Sequence, residues 1–160
     1  MNLHVDPPVE RSVASERRGS NWPLGIFVAA VFGFLAVALG AFGAHGLKSG
    51  LLAGLADAAQ RLAWWETAVD YQMWHSLLFL AVSASGLSQT QRTRRWLLVW
   101  LLCGFTFFSG SLYVMTLTGI RALGAITPLG GMSFLALWVL VARTAWRQHM
   151  HNGKDIAAER

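Results

Sequence analysis

Five side chains in this sequence are equipped for chemistry: His45, Glu66, Tyr71, His75 and Tyr113. Two imidazoles and a carboxylate could hold a transition metal, which makes His45, His75 and Glu66 the candidate metal ligands. Two imidazoles alone could ligate a haem iron. A histidine and a tyrosine near a membrane surface suit a quinone headgroup equally well. All five residues therefore form the candidate cofactor-binding set, with the cofactor itself left unknown. No HxxxH or ExxH spacing brings ligands onto one helix face. Neither a nucleophile–base pair nor a phosphate-binding loop is visible, so no catalytic residue is assigned and enzymatic activity is not expected.

Three of the five lie in one stretch, "WWETAVDYQMWHS", residues 64–76. At 100° per residue, Tyr71 and His75 share a helix face, with Ala68 and Gln72 beside them. Glu66 precedes His75 by nine residues and falls on nearly the opposite side of an unbroken helix. The segment "TAVD", Thr67 to Asp70, fits a capping box and predicts a helix start just after Thr67. Asp70 would then sit in a first turn, where the helix dipole favours an anion. Glu66 would be free to turn toward His45, Lys48 or Arg121.

The elements that must position these groups are membrane spans. The chain is 54% hydrophobic and only 13% charged, against about 25% charged in ordinary globular domains. A bilayer core about 30 Å thick is crossed by roughly 20 apolar helical residues. Residues 24–44, 96–118 and 123–142 meet that requirement. A weaker span, 68–87, meets it only if the polar stretch from Ala68 to Gln72 enters the membrane. The expected fold is an all-α bundle of four transmembrane helices. It is flanked by a disordered N-terminal tail, residues 1–21, and a polar C-terminal tail, residues 147–160; the transmembrane domain is 22–146.

Basic residues orient the bundle. Arg11, Arg17, Arg18, Arg92, Arg94, Arg95, Arg143, Arg147, Lys154 and Arg160 share one side of a four-span protein, and Lys48, Arg61 and Arg121 share the other. Ten against three places both termini in the cytoplasm under the positive-inside rule. The same clustering accounts for the net charge of +5 without nucleic acid, which would require a basic stripe. Trp22, Trp96 and Trp146 are expected at cytoplasmic ends and Trp64 and Trp65 at the outer interface, as anchors; Trp74, Trp100 and Trp138 better suit a core. Cys103, the one cysteine, has no partner for an internal disulfide and reads as a small apolar residue. His149 and His151 read as solvated groups of the polar tail.

The first span has a basic front and small residues at its end, as signal peptides do. Its apolar run is longer than a signal sequence needs. Ala29 with Gly33, and Ala36 with Gly40 and Ala44, have the spacing that lets helices approach closely, which explains the small residues instead.

In this orientation the unusual residues gather at the outer end: His45, Lys48, Glu66, Tyr71, Gln72, His75, Ser109, Ser111, Tyr113, Thr127 and the turn from Pro128 to Gly131. The stretches "LGAFGAHGLK", "WETAVDYQMWHSLLFL", "FSGSLYVMTLTG" and "LGAITPLGGMSFLALW", in that order, resemble the family of small bacterial inner-membrane proteins called domain of unknown function 423. Eukaryotic relatives carry the name transmembrane protein 256. The resemblance spans about residues 24–142 and implies a four-helix protein of the bacterial inner membrane, without an established activity.

Three functional classes follow. In the first, the outer cluster is a polar latch and the protein a structural or accessory membrane component, whose partners are the lipid bilayer and other membrane proteins or a second copy. In the second, His45 and His75 bind a metal, haem or quinone. In the third, the protein is a small transporter or channel subunit; polarity that stops halfway across the membrane counts against this one.

Overall fold

The computed structural model describes residues 22–87 and 90–158, and side chains as far as residue 152. The expected N-terminal tail lies outside the described residues. The architecture is all-helical among them. Helix α1 is Pro23–Phe42 and widens into a π-helical segment, Gly43–Leu51. Helix α2 is Ala58–Ala84. Helix α3 (Gln91–Gly104), a second π segment (Phe105–Gly110) and α4 (Ser111–Thr118) form one continuous rod. A short 3-10 turn, Arg121–Ala125, leads into α5, Thr127–Ala158.

Local sequence sets the ends. Pro23 opens α1, where a missing N–H leaves no donor unpaired. Thr90 caps α3 by accepting from the Thr93 N–H. Gly119, at φ 75°, stops α4 in the left-handed region, which a residue with a Cβ rarely enters.

Small residues zip α1 to α2. A Cβ placed on Gly33 would meet Ser76 at 3.9 Å, and one on Gly40 would meet Val69 at 3.4 Å. Gly25 faces Ser83 and Gly43 faces Trp65 in the same antiparallel register. Ala29 and Ala36 are fully buried in this seam. The close approach expected from the spacing of Ala29, Gly33, Ala36 and Gly40 is therefore realised, and helix backbones that close gain dispersion contacts lipid cannot supply.

Helix α2 explains how polar residues enter an apolar bundle. Its buried positions are Trp65, Ala68, Gln72, His75, Ser76, Phe79, Val82 and Ser83, a repeat of three and four residues that marks one inward stripe. Half of that stripe is polar. Trp74, Leu77 and Leu80 lie on the outside. The exposed side is apolar from Trp74 to Ala84, whereas nearer the start of α2 it carries Glu66, Thr67 and Asp70.

Among the described residues, three helical stretches are long and apolar enough to cross a membrane: Pro23–Leu51, Gln91–Thr118 and Arg121–Asn152. Helix α2, with 27 residues, has the length, but Arg61, Glu66, Asp70, Gln72 and His75 dilute its apolar character.

Two sequence expectations are corrected. Helix α2 begins at Ala58, not after Thr67, and the Thr67 hydroxyl donates to the Ala63 carbonyl one turn back instead of capping. Trp22 and Trp65, expected as interfacial anchors, are buried in the core, whereas Trp74 and Trp138, expected in the core, are 56% and 50% exposed on the bundle's outside. Helix α5 continues through the polar stretch after Trp146 as far as Ala158, with His149 and His151 exposed on it.

Candidate functional site

The polar residues of the bundle interior converge on one system of interhelical bonds. Tyr113 on α4 donates its hydroxyl to Gln72 Oε1 at 3.1 Å, and Gln72 Nε2 donates in turn to the Phe32 carbonyl of α1 at 2.9 Å. One glutamine therefore ties three helices. Ser109, in the second π segment, donates to the Ala68 carbonyl of α2 at 3.0 Å. Trp65 Nε1 donates to the Leu39 carbonyl at 2.8 Å, and its ring lies 4.6 Å from that of Tyr113.

Helix α5 meets the second π segment backbone to backbone. Gly130 lies against the backbone of Phe107 and Phe108, leaving no room for a Cβ. Ser111 donates to the Phe107 and Phe108 carbonyls, at 2.7 and 2.9 Å, and its oxygen meets Thr127 Oγ1 at 2.8 Å. The "TPLGG" turn therefore works as helix entry: Thr127 ties α5 to α4, Pro128 fits the first turn, and Gly130 admits the neighbouring backbone.

A second network closes the same end of the bundle. Arg61 Nε donates to Asp57 at 2.9 Å, Arg61 Nη1 to the Thr116 carbonyl at 3.3 Å, and Thr116 Oγ1 returns a bond to the Arg61 carbonyl at 3.0 Å. Arg121 lies 3.9 Å from the same Asp57. Asp57 and Thr116 were not among the sequence candidates. Asp57 precedes Arg61 by one helical turn, whereas the packing of α4 against α2 brings Thr116 and Arg121 to that pair.

The five candidate residues fall into three groups. Tyr113 is half-buried and spent on Gln72. His75 and Tyr71 share an interior face, as their spacing predicts. His75 Nδ1 donates to the Tyr71 carbonyl at 2.7 Å, its ring stacks on Phe134 at 3.7 Å, and the Tyr71 ring stacks on Phe108 at 4.4 Å. His45 and Glu66 are exposed.

His45 and His75 sit at different levels. Gly43, two residues before His45, faces Trp65, and the ten residues from Trp65 to His75 amount to about 15 Å of helix. Glu66 lies on the outward side of the unbroken α2, opposite His75. No group of three or more His, Cys, Asp or Glu residues that could hold a metal ion occurs among the described residues.

Comparison with known proteins places this geometry in context. The family model described as "Protein of unknown function (DUF423)" matches residues 39–131, which contain Tyr113, Gln72, Ser109 and Ser111. The UPF0382 membrane protein SSP2132 of Staphylococcus saprophyticus is 42% identical over 116 residues, covering 72% of this chain and 91% of that protein. YwdK of Bacillus subtilis, also named a UPF0382 membrane protein, is 41% identical over 125 residues, covering 75% and 94%. The UPF0382 inner membrane protein YgdD of Escherichia coli is 38% identical over 116 residues, covering 72% and 84%. No solved structure matches.

Proposed function

The chain belongs to the DUF423 family, and we propose that this membrane protein is a structural or accessory component of the inner membrane, built from four spans with both termini cytoplasmic. Its outer polar cluster is a latch that holds the spans together. The observation that carries this reading is where the interior polar groups point. Tyr113, Gln72, Ser109, Thr116 and Trp65 each bond to a neighbouring helix, mostly to its backbone carbonyls. A group already paired in this way in a low-dielectric interior has little to offer a ligand without breaking a helix contact.

The fourth span is α2. Its 27 residues amount to about 40 Å of helix, beyond the 30 Å core, and its polar stripe is turned inward. The basic residues support the orientation: Arg61 and Arg121 meet at Asp57 at one end of the bundle, while Arg94 lies over the Trp22 ring at the other.

The competing reading is a metal, haem or quinone held by His45 and His75, with Glu66, Tyr71 and Tyr113. It is tested by metal analysis and an optical spectrum of the detergent-purified protein beside His45→Ala and His75→Ala variants. The latch predicts no stoichiometric metal or chromophore that depends on either histidine. A bound metal or haem lost in either variant would overturn it.

A further inference from the structure

We infer that the cleft between the start of α3 and the last turns of α5 binds the phosphate of an anionic membrane-lipid headgroup. The cleft has a volume of about 850 Å³. Its lining includes Arg92 from α3 and Arg143, Arg147 and His151 from α5. Arg143 and Arg147 are four residues apart and stand on one face of α5. Arg92 approaches from the opposite helix.

Three guanidinium groups around one opening repel one another, and no acidic side chain lines the cleft among the described residues. An anion inside relieves that repulsion. Guanidinium groups remain charged at every physiological pH, and their planar fork matches phosphate oxygens in pairs. The class of ligand is therefore a phosphate.

Trp96 and Leu140, also in the lining, identify a lipid as its source. Both stand where the apolar stretches of Gln91–Thr118 and Arg121–Asn152 give way to charge. The opening thus spans the boundary at which a lipid carries its phosphate above and its acyl chains below. Basic pockets between membrane helices bind anionic headgroups in this way. Arg143 and Arg147 lie beyond the residues matched by the family model, 39–131. The assignment to the cytoplasmic leaflet rests on the four-span orientation proposed above; the site itself does not.

The test uses the full-length protein in nanodiscs of phosphatidylcholine with a minor fraction of phosphatidylglycerol, followed by native mass spectrometry of the lipids retained after extraction. Arg92→Gln, Arg143→Gln and Arg147→Gln should each weaken phosphatidylglycerol retention roughly fivefold, and the triple variant on the order of 100-fold. Arg121→Gln, exposed at the opposite end of the bundle, should retain it as the parent does. The single substitutions are at exposed positions, so they carry the test if the triple variant fails to fold. Equal retention in the parent and the arginine variants would overturn the site, as would an equal loss in Arg121→Gln. A second arm offers excess inorganic phosphate. Displacement of the retained lipid by phosphate at far lower concentration than the lipid requires would assign the cleft to free phosphate and overturn the lipid source. A reversed topology would move the site to the other leaflet and leave retention unchanged, so the two readings fail separately.

Discussion

Gln72 occupies the most demanding position in the molecule, because both ends of its amide are committed to different helices. Interhelical hydrogen bonds in membranes contribute about 0.6 kcal/mol on average and at most about 1.7. Tyr113→Phe removes one bond and leaves Gln72 Oε1 without that donor. It should destabilise the protein by about 0.5–1.5 kcal/mol, measured by denaturant titration in detergent. In a cycle with Gln72→Leu, the two substitutions should couple by about 0.6 kcal/mol; coupling indistinguishable from zero would sink the latch. Glu66→Gln, on the exposed face of α2, should shift stability by less than about 0.5 kcal/mol. Tyr71 and His75 could be placed on one face by counting residues. Their ring partners Phe108 and Phe134 could not, because they come from two other helices.

At the scale of elements, the second π segment and the start of α5 form one joint. The widened turn from Phe105 to Gly110 aims Ser109 at α2, while Gly130 presses on its backbone from α5. Overpacking a close contact costs about 1–3 kcal/mol. Gly130→Ala should fall at the upper part of that range, because backbone rather than a flexible side chain blocks the new Cβ. Gly131→Ala is the matched control, since a Cβ there would meet only the Phe108 ring at 3.8 Å. The measurement is the denaturant midpoint of each variant; equal midpoints would refute the joint. Helix boundaries were less legible than spans. The "TAVD" pattern imitates a helix start, yet "AAQRLAWW" before it is a good helix former, and tertiary contacts at Trp65 and Arg61 extend α2 through it.

For the whole molecule, the orientation proposal sets where each charge must lie. The Ser83 carbonyl accepts the Trp22 N–H at the start of α1, and Glu66 stands 17 residues from Ser83, about 26 Å along the helix. With Ser83 at one boundary of a hydrocarbon core about 30 Å thick, this carries Glu66 to about 4 Å short of the far boundary and Asp70 to about 10 Å short of it. Reporter fusions after Gln91 and at the C-terminus should read as cytoplasmic, and one after Asp57 as external. An external C-terminus would rule out the proposed four-span arrangement.

By itself, the sequence determined that this is an α-helical membrane protein, which stretches are apolar enough to span, and which family it resembles. These are properties of single segments, set by hydropathy, spacing and charge. Only the tertiary structure decided that the polar stripe of α2 faces inward and that Gln72 joins three helices. It also decided that Trp65 is a core residue and that Arg92 meets Arg143 and Arg147 around one cleft. Each of these depends on pairing residues distant in the chain, and that pairing follows from how small-residue seams and close backbone contacts set the helices against one another. No local pattern encodes such a register, so the stretch from Trp64 to Ser76 could be read for its faces but not for its partners.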